Sequence, residues 1–176
     1  MAILLFSLVF FVFQLWGLKT WKLMTPWVMG LWMVSFIACS FYYPLPLTEM
    51  TGLFSIGFLV FCQDLKTRYF SGCWFGVALL VLGLGFGVMV SPLWRLAGLG
   101  IGLMSFFFVK KQSLGVADAI GLGCLGFSLG LSGLCKVVMI ASFGCLVYGF
   151  MRDERLLPFL SFLAWAYCLV YGVMVG

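Results

Sequence analysis

Apolar runs follow one another along almost the whole chain, and the polar breaks between them are too short to fold by themselves. The runs cover residues 2–17, about 27–43, 43–62, 69–90, 93–109, 118–131, 134–150 and 158–176. In hydrocarbon, backbone of this kind satisfies its own N–H and C=O groups only as a helix or a closed barrel. Barrel strands alternate apolar and polar residues, and these runs are continuous. The composition agrees: 65% hydrophobic and 9% charged over 176 residues, with a mean hydropathy of +1.22. That exceeds what the interior of a soluble domain of this size can hold, so the lipid bilayer is the expected solvent. The expected fold is all-α, a polytopic transmembrane helical bundle of about eight spans.

Orientation follows from the basic residues. With the N-terminus outside, Lys19, Lys22, Lys66, Arg68, Lys110, Lys111, Arg152 and Arg155 fall in cytoplasmic loops, and only Arg95 and Lys136 fall outside. That is the positive-inside pattern. It accounts for the net charge of +5 without a nucleic-acid partner, for which no basic cluster is suited. The first run has neither a basic leader nor a small-residue cleavage site, so it reads as a retained span. Paired small residues recur at i, i+4: Gly83 with Gly87, Gly98 with Gly102, and Gly126 with Gly130. Such pairs let helix backbones approach closely in membranes. A turn is expected at Ser132-Gly133, between the sixth and seventh spans.

The chain contains no His. Ser-His and Cys-His nucleophilic mechanisms and His-liganded metal sites are therefore excluded. The seven Cys form no CxxC, and most lie inside apolar runs, as buried structural thiols do. No metal and no cofactor are expected. What remains for chemistry is five carboxylates. Asp153 and Glu154 lie between Arg152 and Arg155, where local ion pairing accounts for them. Glu49 lies near the outer end of the third span.

Asp64 and Asp118 are different. Two spans separate them, so both reach the same, cytoplasmic, boundary. Asp64 follows the end of one helix in Gln63-Asp64-Leu65-Lys66-Thr67-Arg68, and Asp118 opens another after Gly115-Val116-Ala117. Acids at the mouth of apolar helices are functional candidates. Packed together, the two would form the pair that water-mediated peptide hydrolysis needs: one protonated acid polarises the carbonyl, and one ionised acid takes a proton from water. Such a pair titrates as a unit. Helix dipoles favour Asp118 as the base and Asp64 as the acid, whereas Lys66 and Arg68 act in the opposite sense on Asp64.

These residues resemble the motifs of the type IV prepilin peptidases, membrane aspartic proteases of bacterial inner membranes. The family's GxGD motif is matched by Gly115-Val116-Ala117-Asp118, with Leu125-Gly126 and Gly130 following. Its first Asp motif is matched by Asp64-Leu65-Lys66-Thr67-Arg68, the lead into that helix by Tyr43-Pro44-Leu45 with Glu49 and Thr51-Gly52, and the opening of its last helix by Pro158-Phe159-Leu160. The resemblance covers about residues 43–176, a catalytic unit preceded by two helices in residues 1–42. It implies catalysis by Asp64 and Asp118, support of the substrate and loop by Gly115, Ala117, Lys66 and Arg68, and cleavage of the basic leader from prepilins or pseudopilins at the cytoplasmic face.

The chain departs from the pattern at Ala117, which replaces the second glycine, at Ile120, where the family has Lys, and at Ser71 and Gly72, which replace a proline and its polar follower. Longer family members methylate the new N-terminus through a cysteine-containing insert. Here residues 18–25 take that place without cysteine, which implies cleavage without methylation. Two competing readings are a catalytically inactive or repurposed protein of a pilus or secretion system and a small transporter. Against transport, both acids lie at one face rather than at the midplane, and no paired broken spans are evident.

Overall fold

The computed structural model of the chain describes residues 2–21, 26–42, 46–67, 90–111, 115–152 and 158–175. Nearly all of the expected span over residues 69–90 lies outside them, as do Lys22, Tyr43, Pro44, Leu45, Arg68, Ser71, Gly72, Cys73, Asp153, Glu154 and Arg155. Among the described residues the secondary structure is helical throughout, with no strand. The elements are α1 (Ala2–Trp21), α2 (Pro26–Tyr42), α3 (Leu47–Thr67), α4 (Pro92–Met104), α5 (Phe106–Lys110), α6 (Val116–Arg152) and α7 (Phe159–Val175). Two stretches, Pro92–Lys110 and Val116–Met151, are long and apolar enough to cross a membrane by length and composition. Ala2–Trp16, Pro26–Tyr42 and Phe159–Tyr171 are shorter apolar helices.

One half of the bundle is built on aromatic rings. Phe10 of α1 packs on Phe36 of α2 at 4.9 Å between centroids, and edge-on to Phe54 of α3 at 6.0 Å. Trp32 meets Phe54, Phe58 and Phe61 edge-on at 5.7–5.9 Å. Each such pair contributes about 0.5–1.5 kcal/mol beyond burial. Gly57 makes room for this cluster, since a Cβ there would lie 2.6 Å from Cys168 Sγ and 2.9 Å from the Trp32 ring. Helix α7 closes the half by running antiparallel to α3: Ser161 meets Phe61 and Asp64, and Cys168 meets Leu53. Trp165 Nε1 also donates to Ser35 Oγ of α2 at 2.9 Å.

The other half is built on bare backbone. Gly98 of α4 packs directly on Gly126 of α6, and Gly102 packs on Gly123. A methyl at Gly98 would run into the Gly126 carbonyl, and one at Gly102 would lie 2.5 Å from the Gly123 Cα. Three of the paired glycines read from the sequence, Gly98, Gly102 and Gly126, are thus interface residues, with Gly123 joining them as a partner. Leu93, Leu96, Met104 and Phe107 nearby are exposed apolar side chains.

Helix α6 is two arms rather than one rod. Gly130 has φ 69° and ψ −178°, which interrupts the helical ladder. Beyond it the chain folds back. A straight helix would separate Asp118 from Cys145 by about 40 Å, yet Cys145 lies within electrostatic reach of both Asp118 and Asp64. The break therefore falls at Gly130 and not at the expected Ser132-Gly133. Gly130 rests against Val90 and the Trp94 carbonyl, and its positive φ is a conformation that L side chains rarely adopt. A second difference lies at the end of α3, where residues 63–67 continue the helix instead of forming a polar loop. Leu, Gln and Lys are good helix formers, and the tie from Asp64 to α7 holds that last turn in place.

Candidate active site

The two acids meet at the start of α7. Pro158 stands just before that helix, and Phe162 N–H makes an early turn bond to the Pro158 carbonyl at 3.4 Å. The N–H groups of a first helical turn have no partner within their own helix. Here two successive ones face carboxylates from different elements. The Ser161 N–H donates to Asp64 Oδ2 at 2.9 Å, and the Ser161 hydroxyl donates to the same oxygen at 2.7 Å. The Leu160 N–H faces the Asp118 carboxylate, and Asp118 lies within electrostatic reach of Asp64.

Each acid reaches this point by a local device. Asp64 sits in the last turns of α3, whose aromatic face is locked into the core, and is only 8% exposed. Burying a carboxyl group is costly unless it is hydrogen-bonded, and Ser161 supplies that partner. Asp118 lies in the first turn of α6. The Gly115 N–H donates to its Oδ2 at 3.2 Å, while the Gly115 carbonyl accepts from the Ala119 N–H at 3.1 Å. A Cβ on Gly115 would lie 2.9 Å from that carboxylate oxygen, so a side chain there would displace the Asp118 carboxylate.

The structure therefore brings Asp64, Asp118 and Gly115 into one cluster. Ala117 is half-buried, and its methyl packs against the core. Lys66 lies in the last turn of α3, its side chain outside the described residues, and Arg68 lies wholly outside them. Ile120, in the place of the family's Lys, is half-buried in the second turn of α6. Sequence reasoning missed Ser161 and Cys145. Ser161 had one available signal: it stands three residues after Pro158, where a first-turn N–H is free to donate. Cys145 had none, because only the reversal at Gly130 brings it near the acids.

Beside the cluster, an apolar cavity of about 440 Å³ opens between α2, the second arm of α6 and α7. Trp27, Leu31, Gly144, Tyr148, Phe162 and Trp165 are among the residues that line it. Phe162 follows Ser161 directly, so the cavity begins one residue from the hydroxyl that holds Asp64. Six described cysteines, Cys39, Cys62, Cys124, Cys135, Cys145 and Cys168, are free thiols. Among the described residues, no three His, Cys, Asp or Glu side chains gather as a metal ion would require.

The arrangement offers chemistry that needs two acids and a water molecule. Two carboxyl groups within reach of each other share protons unequally, so one can donate while the other accepts. No protein-family model, no curated protein and no solved structure matches this chain.

Proposed function

We propose that this protein is a membrane-embedded aspartic endopeptidase that cleaves the basic leader from type IV prepilins or pseudopilins, without methylating the new N-terminus. The observation that carries the reading is the meeting of Asp64 and Asp118 at the first turn of α7, from elements that are remote in sequence. In this reading the chain crosses a bacterial inner membrane in about eight spans with its N-terminus outside. The excess of Lys and Arg in alternate loops supports that orientation, and the acids then act at the cytoplasmic face. One acid of the pair, protonated, polarises the scissile carbonyl, and the other, ionised, takes the proton from the attacking water. The apolar cavity beside Phe162 supports a substrate whose cleavage point borders an apolar helix.

The competing reading, a non-catalytic protein of the same assembly, rests on Ala117 and Ile120. Both depart from the family's motif at its centre. Cleavage of prepilin and pseudopilin substrates in membranes containing the protein separates the two. The parent is expected to cleave at least one, and Asp64→Asn and Asp118→Asn, inserted to equal levels, are each expected to lose at least about 10³-fold in rate. Cleavage that survives either substitution would refute the two-acid mechanism. An inactive parent across a broad substrate set would favour the non-catalytic reading.

A further inference from the structure

Among the described residues, several hydroxyl groups turn back on their own helix. Ser35, Ser40 and Thr51 each donate to the carbonyl four residues earlier, and Ser105 and Ser128 to the carbonyl three residues earlier. This is how hydroxyls ordinarily satisfy themselves in an apolar helix. Ser161 does not. It is fully buried, and its Oγ lies 2.7 Å from Asp64 Oδ2 and 3.2 Å from the Phe61 carbonyl, both on α3. A hydroxyl has one proton to give. The shorter contact, to a carboxyl oxygen, takes it, and the Phe61 carbonyl marks the alternative direction.

Both Ser161 donors therefore converge on one oxygen of Asp64. Among the described residues, no donor reaches the other oxygen, Oδ1. An oxygen that accepts two hydrogen bonds is poorly placed to carry or release a proton, because a proton there would displace one of its donors. Oδ1 has no such conflict. With Oδ2 held by two donors from a rigid helix start, rotation of the carboxyl group about its Cβ–Cγ bond is also arrested.

We propose that Ser161 is a positioning residue that pins Oδ2 of Asp64 and so makes Oδ1 the oxygen that exchanges a proton with substrate or water. The proposal rests on the peptidase reading above and adds a residue and an atom to it. Ser161 touches no reacting atom. It acts through Asp64 by fixing which lone pairs face the site, and the Oδ2 acceptor serves in either protonation state of Asp64.

The test compares Ser161→Ala and Ser161→Thr with the parent in membranes, using cleavage kinetics and infrared spectra. Ala removes the hydroxyl donor but keeps the backbone N–H, and kcat is expected to fall roughly 10- to 100-fold with KM unchanged. Thr restores a hydroxyl and is expected to recover most of the loss. A parent-like kcat in Ser161→Ala, or a loss confined to KM, would overturn the proposal. The infrared arm does not depend on activity. The Asp64 carboxyl band, isolated by difference against Asp64→Asn, is expected to shift in Ser161→Ala. An unmoved band would overturn the hydrogen-bond assignment even if the parent cleaves nothing, an outcome that would by itself count against the peptidase reading and not against the positioning of Asp64.

Discussion

Trp32 and Gly98 stand at the centres of two helix interfaces with almost nothing in common. Around Trp32, four helices interlock large rings, and Gly57 makes room for side chains rather than for another backbone. Around Gly98, two helices touch backbone to backbone, while Leu93 and Leu96 of α4 are exposed. In the membrane setting proposed above, lipid tails are as apolar as the side chains, so burying carbon from lipid gains little, and packing geometry must hold each interface. One half achieves it with many ring contacts and the other with the absence of side chains. The acid pair lies where the halves join. Asp64 belongs to the aromatic half, Asp118 to the glycine half, and α7 touches both.

Substitutions are expected to damage one half at a time. The largest effect is expected from Trp32→Ala, which empties the centre of the aromatic cluster and should cost about 3–5 kcal/mol. Thiol-labelling rates in native membranes read it locally: Cys39 and Cys168, buried in that half, should label faster, while Cys135 on α6 should keep its rate. A uniform rise at all three thiols would mean that the halves unfold as one.

Gly98→Ala should come next, at about 1–3 kcal/mol, because the methyl meets the Gly126 backbone and no side chain there can move aside. Here Cys124 should become more reactive, and Cys168 should not. Gly100→Ala, two residues along the same helix, is the smallest. Its Cβ meets nothing within 4 Å, so the expected result is stability unchanged or raised by about 0.5–1 kcal/mol in the same unfolding assay. Equal losses in the two alanine variants would show that helix α4 responds to glycine content and not to the seam.

Much of this was readable in the residues themselves. Long apolar runs dictate helices, Pro158 marks the start of α7, and the spacing of Gly98, Gly102 and Gly126 points to close contact. The turn in α6 was harder, since Gly130-Leu131-Ser132-Gly133 offers two glycines. The structure breaks the helix at Gly130, which rests against Val90 and Trp94 on a different element. The helical state of residues 63–67 was hidden for a similar reason. Polar residues at a span end read as loop until a partner 97 positions away holds them. The same distance hid Ser161, whose side chain gives no local sign that it bonds another helix. Asp64 and Asp118 were visible as acids at one boundary, but their meeting depends on the docking of α7.

That docking is the most direct thing to test. Cysteine introduced at Asp64 and Asp118 in a background without the native thiols, and treated in native membranes with a short bifunctional thiol reagent, reports whether the two positions lie side by side. Bridging is predicted at a rate comparable to that of a Phe10→Cys, Phe36→Cys control pair, whose parent rings are 4.9 Å apart. Failure of positions 64 and 118 to bridge under conditions where the control pair does would contradict the account.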